Sequence, residues 1–557
     1  PVMAQPSSPR LASRAPTALP VVVAGLFACA WMALRWPLPE WMLRDNDWLH
    51  QLGGANQILR GEHPFIDWRT DFGPLRYYPS ALAQLLLGER TLSELLLVTV
   101  AYTAAYAMLF RYMWLASGRL PIAAALLFVS LMLAPRLFKY YVMLGPVLCL
   151  GASWRYIDRP GRASLAWLAA AVTLTGLFRI DFGAYAALAA VVTIATEPAP
   201  ARARLLQVVR LCGYAALFAS PWLVWLAVRG GIDNYLLDTF SNAPRHAAAM
   251  SLPFPRFDWS APLLAPGNAL ALLYLCFYSL PLIAVVAAAG LHTPGEHRAW
   301  RKVVCTAALA QAVLLHAAHR SGYSHLLQSI PICFVLLAWL AGRAWPRGRT
   351  LFAASRPALV GTAALAIALG VAAWGAVRVG GWPSRQAGRG LAAFSQHGMP
   401  RSALVDHLAA THPDDPLLGA IEYVRRCTEP TDHLIALPPW IGVYYFADRK
   451  FAGGQPVWSP GFFSTDLDQR RWIDTVRRQR PALAIGDGSY TLDGRPERRF
   501  ATYSHLVMQY VLAQYAPIGS FGPIALRARP PVDPASLNAG APALCFRDMR
   551  EKQVPAP

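Results

Sequence analysis

The sequence runs to 557 residues, of which 55% are hydrophobic and only 15% charged. That balance is more apolar and less charged than a soluble domain, so most of the chain is expected in a membrane. Lys and Arg number 51 against 31 Asp and Glu, a net +20, but the excess punctuates apolar segments instead of forming one stripe, which argues against nucleic acid as a partner.

Residues 1–16 read as a disordered N-terminal tail. Segments free of Asp, Glu, Lys and Arg then occur at about 18–34, 95–110, 120–134, 140–154, 164–178, 182–196, 211–228, 267–290, 303–317, 327–341 and 357–377. Some are shorter than the roughly 20 residues that cross a bilayer, and flanking aromatics and Arg extend them. The fold class expected is mainly α: a polytopic transmembrane helical bundle of about 11 spans over residues 17–377, a linker at 378–416, and an α/β domain at 417–557.

Basic residues in short connections mark the cytoplasmic side of a membrane protein. Arg119, Arg155, Arg159, Arg162, Arg202, Arg204, Arg298, Arg301, Lys302, Arg343, Arg347 and Arg349 follow the even-numbered segments, and Arg10 and Arg14 precede the first. One orientation places all of them inside. The other face then receives residues 45–79, turns near 135–139, 179–181 and 318–326, a longer loop at 229–266, and the C-terminal domain.

The first of those outer connections, RDNDWLHQLGGANQILRGEHPFIDWRTDFGPLRYYP, is far longer than a connector needs to be. It mixes Asp45, Asp47, Glu62, Asp67 and Asp71 with Trp48, Phe65, Trp68, Phe72, Tyr77 and Tyr78, and Pro64, Gly73, Pro74 and Pro79 stiffen it as a loop. Asp45 and Asp47 suit a general base beside a substrate hydroxyl, and equally the solvated end of a helix. The remaining outer turns carry Arg136 with Lys139, Arg179 with Asp181 in FRIDFG, and Arg320 with His325 in HRSGYSHL. Arg179 and Asp181 either pair with each other or leave Arg179 to bind an anionic headgroup, since the planar guanidinium fork matches a phosphate. In the longer loop, DNYLLDTFSNAPRHAAAMSLPFP is expected as a helix in the interface, anchored by Tyr235, Leu236, Phe240 and Phe254.

Beyond the membrane part, Leu417, Ile421 and Val424 recur at helical spacing, HLIAL, GVYYF and ALAIG read as strands, and Thr465 with Asp468 forms a capping box. A helix near 501–515 and SFGPIALRA complete a domain in which partly parallel strands are expected. It has no Gly-rich phosphate loop, which argues against a nucleotide site. Six of the eight cysteines fall in apolar runs, and no Cys/His metal spacing occurs; Cys427 and Cys545 are candidate disulfide partners if this domain lies in an oxidising compartment.

ILRGEHPFIDWRTDFGPLRYYP resembles the first-loop pattern of the GT-C superfamily of bacterial membrane glycosyltransferases, with Phe65 where Tyr and Trp68 where Phe are usual. FRIDFGAYA is similar to that family's basic, acidic and glycine turn, and SGYSHLLQSIP to its later histidine element, with Gly322 or Tyr323 where an acid is common. The likeness spans about residues 20–345. It implies transfer of a sugar from a polyprenyl-phosphate donor to an envelope acceptor at the periplasmic face of a bacterial inner membrane. Asp47 would be the base or metal-binding acid and Asp45 its alternate, with inversion at the sugar. Arg179, Arg320 and His325 would stabilise the leaving phosphate. Asp67, Arg76, Tyr77, Lys139 and Asp181 complete the substrate-binding candidates, and any divalent cation (Mg, Mn or Ca) would be oxygen-bound. The rival readings are a glycolipid transporter or flippase, against which the eleven uncharged segments speak, and an envelope-assembly scaffold.

Overall fold

The computed structural model describes residues 18–133, 137–262, 265–289, 296–344, 388–462 and 464–530. Ten of the eleven apolar segments coincide with helices: Ala18–Leu34, Thr91–Ser117, Leu120–Met132, Tyr141–Asp158, Arg162–Phe178, Ile180–Ala195, Ala201–Val228, Pro266–Ala289, His297–His319 and the pair Tyr323–Ser329 with Cys333–Ala344. The eleventh, at 357–377, lies outside the described residues, as do the 1–16 tail and Cys545. Five spans among the described residues are long and apolar enough to cross a membrane, and a sixth if the last pair, bent by 64°, counts as one.

These helices are apolar over most of their length, so their backbone polar groups are satisfied internally while their apolar side chains meet either protein or lipid. Thr91–Ser117 is the central column, packed by Ala18–Leu34, Leu120–Met132 and Cys333–Ala344. It stops where Gly118 turns left-handed (φ 65°) and its N–H caps Trp114 at 2.8 Å. Ala201–Val228 keeps Leu205, Val209, Leu217 and Val224 exposed, as a lipid-facing helix would.

The connections fall into two sets at opposite ends. At one end Lys302 Nζ lies 2.8 Å from Asp158, Arg343 2.8 Å from Glu296, and the Tyr156 hydroxyl donates to Glu197 at 2.8 Å. At the other end the first loop, the turns at 137–139 and 179, the 229–262 segment and the C-terminal residues meet.

The first loop departs from expectation, because Asn46–Leu59 is a helix rather than open loop. Ten consecutive residues, 48–57, are buried, since one side packs on the bundle and another on the short helix Gly442–Phe446. That second helix was expected as a strand. GVYYF is buried on all sides, so no alternation of exposed and buried positions marks its conformation.

The C-terminal sheet has the order β2-β1-β3-β5-β4, with β1 His433–Ala436, β2 Lys450–Phe451, β3 Leu483–Ile485, β4 Ala516–Phe521 and β5 Ile524–Ala528. β1 runs parallel to β2 and β3, and β5 antiparallel to β3 and β4. Thr465 caps Asp466–Gln479 by accepting from Asp468 N at 3.2 Å. Residues 389–411, within the stretch expected as a linker, carry three short helices; they hold to the bundle through His397 Nδ1 at 2.9 Å from Thr91 Oγ1 and Arg401 at 2.7 Å from Glu89.

This domain grips the far half of Asn46–Leu59. Gln57 Nε2 donates to Arg449 O at 3.0 Å, Asn56 Nδ2 to Asp448 at 3.1 Å, and Arg401 Nη1 to Asn56 Oδ1 at 2.9 Å. Lys450 pairs with Glu62 at 2.8 Å. The near half of the same helix, which carries Asp47, is left to face the bundle.

Candidate active site

The site begins at the helix start. Asp45 accepts hydrogen bonds from Asp47 N at 3.0 Å and Trp48 N at 3.3 Å, so its carboxylate is the N-cap. Both bonds fall on Oδ1, which commits that oxygen to the helix start. Asp47, in the first turn, sits where the helix dipole favours a negative charge. Its side chain is 37% exposed and its Oδ2 lies 3.6 Å from Nζ of the buried Lys139.

Arg76 closes the same end from below. It stands in the turn Pro74–Arg76, fully buried, with Nη2 donating to Asp47 O at 3.1 Å. Its guanidinium lies 3.6 Å from the centre of the Phe72 ring, and the Arg179 guanidinium lies 5.6 Å from the same ring. The approach depends on Gly73, where a Cβ would come within 2.1 Å of Leu177 O at the end of Arg162–Phe178. Arg76 Nε and Nη1 are buried with no hydrogen-bond partner among the described residues.

Arg179 ends one helix and opens the next. Its Nε donates to Asp181 Oδ1 at 2.7 Å, and its Nη2 lies 3.4 Å from His316 Nδ1. His316 is also 3.6 Å from Asp181 Oδ2, and its ring meets that of the buried His325 edge-on at 5.7 Å. Of the two alternatives for this turn, the pairing of Arg179 with Asp181 is present, and the same guanidinium borders the cationic cluster. On the other flank, Asp71 Oδ2 lies 3.8 Å from His246 Nε2, which belongs to the helix Ala243–Ala249.

The structure thus brings Asp47, Arg76, Lys139, Arg179, Asp181 and His325 into one continuous cluster. It places the other candidates elsewhere. Asp67 is an exposed turn residue that accepts from His63 N at 2.8 Å. Tyr77 is buried beneath the site, its hydroxyl 2.6 Å from Thr70 Oγ1 and 3.0 Å from His50 Nε2. Arg320 pairs with Asp493 of the C-terminal domain at 3.3 Å. Cys427 is buried at the end of Pro416–Cys427, and its pairing with Cys545 lies outside the described residues.

His316, His50 and Tyr141 join the cluster without having been singled out by sequence, and Asp71 and Phe72, given no role there beyond the loop's composition, join it as well. Tyr141 packs 5.9 Å from the Arg76 guanidinium and stacks on Phe178. Burial holds the His50 imidazole well below its ordinary pKa, the Arg76 charge adds to this, and Asp47 opposes it. His50 is therefore a neutral partner for the Tyr77 hydroxyl at neutral pH.

A divalent cation does not fit the donor set. Among the described residues no group of three or more His, Cys, Asp or Glu could hold one, and the nearest acids already face Lys139 and Arg179. The positive charge at this end of the bundle is carried by side chains.

No family model matches the sequence, and no curated protein matches it. Solved structures similar to the chain include two of one protein. ArnT from Cupriavidus metallidurans bound to undecaprenyl phosphate aligns at 13% identity and a TM-score of 0.48, covering 92% of this chain and 97% of that one. ArnT from the same organism in the apo state aligns at 14% identity and a TM-score of 0.46, with the same coverage of both.

Proposed function

We propose that the chain is a membrane glycosyltransferase that moves a sugar from a polyprenyl-phosphate donor to an envelope acceptor, at the periplasmic face of a bacterial inner membrane. The observation that carries this reading is the buried cluster of Arg76, Lys139 and Arg179 beside a part-exposed Asp47, at the end of an apolar bundle. Positive charge held this deep is costly, and the negative charge of a lipid phosphate arriving beside Lys139 and Arg179 lowers that cost. The first-loop likeness to GT-C enzymes supports the same assignment.

In this reading the acceptor hydroxyl oxygen attacks the anomeric carbon while its proton passes to the Asp47 carboxylate. The bond from that carbon to the phosphate oxygen breaks, and its electron pair leaves on the lipid phosphate. Lys139 and Arg179 meet the charge that accumulates there, and Arg76 holds the Asp47 backbone in place. Attack from the face opposite the leaving group inverts the sugar. Whether a hexose or a pentose is moved depends on the pocket that receives the ring.

The test is to incubate the purified protein with a panel of polyprenyl-phosphate sugars and measure release of the free lipid phosphate. Turnover is expected with at least one donor, and Asp47→Asn should lower it by about 10²- to 10⁴-fold while expression stays intact. Absence of both turnover and binding across the panel, or full activity in the purified variant, overturns the assignment.

A further inference from the structure

A second basic feature lies beside the grip of the C-terminal domain on the first loop, at the end of Asn46–Leu59 opposite Asp47. Asp47 and Asn56 are nine positions apart, about 14 Å along the helix axis. A cleft of about 530 Å³ opens there, with one wall from the turn Gly88–Arg90 and the other from residues around 401, 425–430 and 446–449. Five arginines and three acids line it.

The pairing within the cleft leaves cations over. Arg401 takes both Glu89 at 2.7 Å and Asp448 at 2.6 Å. Arg449 spends its donors on Thr428 Oγ1 at 2.6 Å and on backbone carbonyls, including Arg425 O at 3.2 Å, and so caps Pro416–Cys427 without using a carboxylate. Arg90 and Arg426 are exposed and form no ion pair among the described residues. Of the three acids in the lining, Glu89 and Asp448 are taken by Arg401, and Glu429 forms no ion pair among the described residues.

The helix that leads into the cleft is apolar on its outer side. Leu82, Leu85, Leu86 and Leu87 of Tyr78–Leu87 are each at least half exposed, at 54%, 69%, 71% and 50%, and the next residues are Gly88, Glu89 and Arg90. A leucine face that ends at arginines reproduces the profile of one leaflet, acyl chains below and headgroups above.

We propose that this cleft binds the phosphate of an anionic phospholipid, with its acyl chains along the leucine face of Tyr78–Leu87. Because the bundle supplies one wall and the C-terminal domain the other, the lipid would also hold the two together. The proposal stands independently of the transferase reading.

The test uses the full-length protein in detergent, titrated with short-chain phosphatidylglycerol, short-chain phosphatidylcholine or inorganic phosphate, and read by native mass spectrometry and thermal unfolding. Phosphatidylglycerol is expected to bind and to raise the unfolding temperature more than either of the others. Arg90→Ala with Arg426→Ala should weaken it roughly tenfold or more. Leu85→Ser with Leu86→Ser should weaken the lipid and leave inorganic phosphate unchanged. Both pairs are on the surface, so the fold is expected to survive. The proposal is overturned if phosphatidylcholine binds as tightly as phosphatidylglycerol, if inorganic phosphate does so, which would mark a free-anion site, or if the arginine variant retains wild-type affinity.

Discussion

Two arginines of the first loop, Arg69 and Arg76, are built into the fold on opposite principles. At the junction of the loop, the 232–249 segment and the C-terminal domain, Arg69 is saturated: its Nε donates to Asp238 at 3.2 Å, its Nη2 pairs with the same carboxylate, and Asp468 lies 3.6 Å away. At the candidate active site Arg76 is more deeply buried than Arg69, at 0% against 12% exposure, yet it lies on an aromatic face with two nitrogens unpaired. Closed pairing holds segments together, whereas open donors leave something for a ligand to complete. Burial alone therefore does not tell a structural arginine from a binding one, and the partners do.

The comparison breaks most visibly at Arg69. Arg69→Ala would leave Asp238 with Asn242 Nδ2 at 2.7 Å and Asp468 with Thr465 Oγ1 at 2.6 Å and the more distant Arg245 at 3.9 Å, both carboxylates almost without solvent contact, and removing one member of a buried ionic network costs about 3 to 5 kcal/mol. The Asp238 carboxyl is already pushed up to about 6 by its burial, against the pull of Arg69. Thermal or denaturant unfolding in detergent should register the loss, while turnover per folded molecule stays near wild type. A variant as stable as the parent would show that the junction is not held by this network.

At Arg76 the opposite pattern is expected. Arg76→Met keeps the volume over Phe72 and removes the unpaired donors, so folding stability should move by no more than about 1.5 kcal/mol. Donor-lipid affinity should fall roughly tenfold or more, the worth of a charge-assisted hydrogen bond. Measured by lipid binding and by unfolding on the same preparation, a stability loss without an affinity loss would turn Arg76 into a second Arg69.

The sequence made one side of this comparison easier to see than the other. Asp47, Lys139 and Arg179 are charges at the ends of apolar runs, and an eye trained on Asp, Glu, Lys and Arg finds them at once. His316 escapes that filter because it lies inside a run that carries none of the four. Ten apolar segments announce their helices, but the helix after Asp45 is covered on more than one side over residues 48–57, so no amphipathic stripe betrays it. GVYYF is hidden for the same reason. The partner of Arg320 lies 173 residues away in another part of the fold, a separation that no local pattern encodes.

A pH titration sharpens the contrast further, because His50 lies between the two sites' supports. Its folded pKa lies below the ordinary value of 6.5, so the unfolded chain takes up a proton that the folded chain refuses. Stability is then full above pH 6.5 and falls as the pH drops below it, by about 1.4 kcal/mol per unit until the folded group titrates. Unfolding measured at successive pH values should show this slope, and His50→Gln should flatten it. An unchanged slope in the variant would move the effect to another group.

The smallest effect is expected at Arg320, which the family likeness had put beside the leaving phosphate. It and Asp493 are each about a third exposed, at 31% and 32%, and exposed pairs contribute about 1 kcal/mol or less. Asp493 does not depend on it, because Arg498, buried at 4% exposure, holds the same carboxylate at 2.6 Å. Arg320→Ala should therefore shift unfolding by less than about 1 kcal/mol and leave donor affinity at the wild-type value, where Arg179→Ala lowers it more than it lowers acceptor binding. If the two variants instead lost donor affinity equally, Arg320 would have to leave Asp493 and reach the phosphate in the donor complex, and the line drawn here between closed and open arginines would depend on which state of the protein is bound.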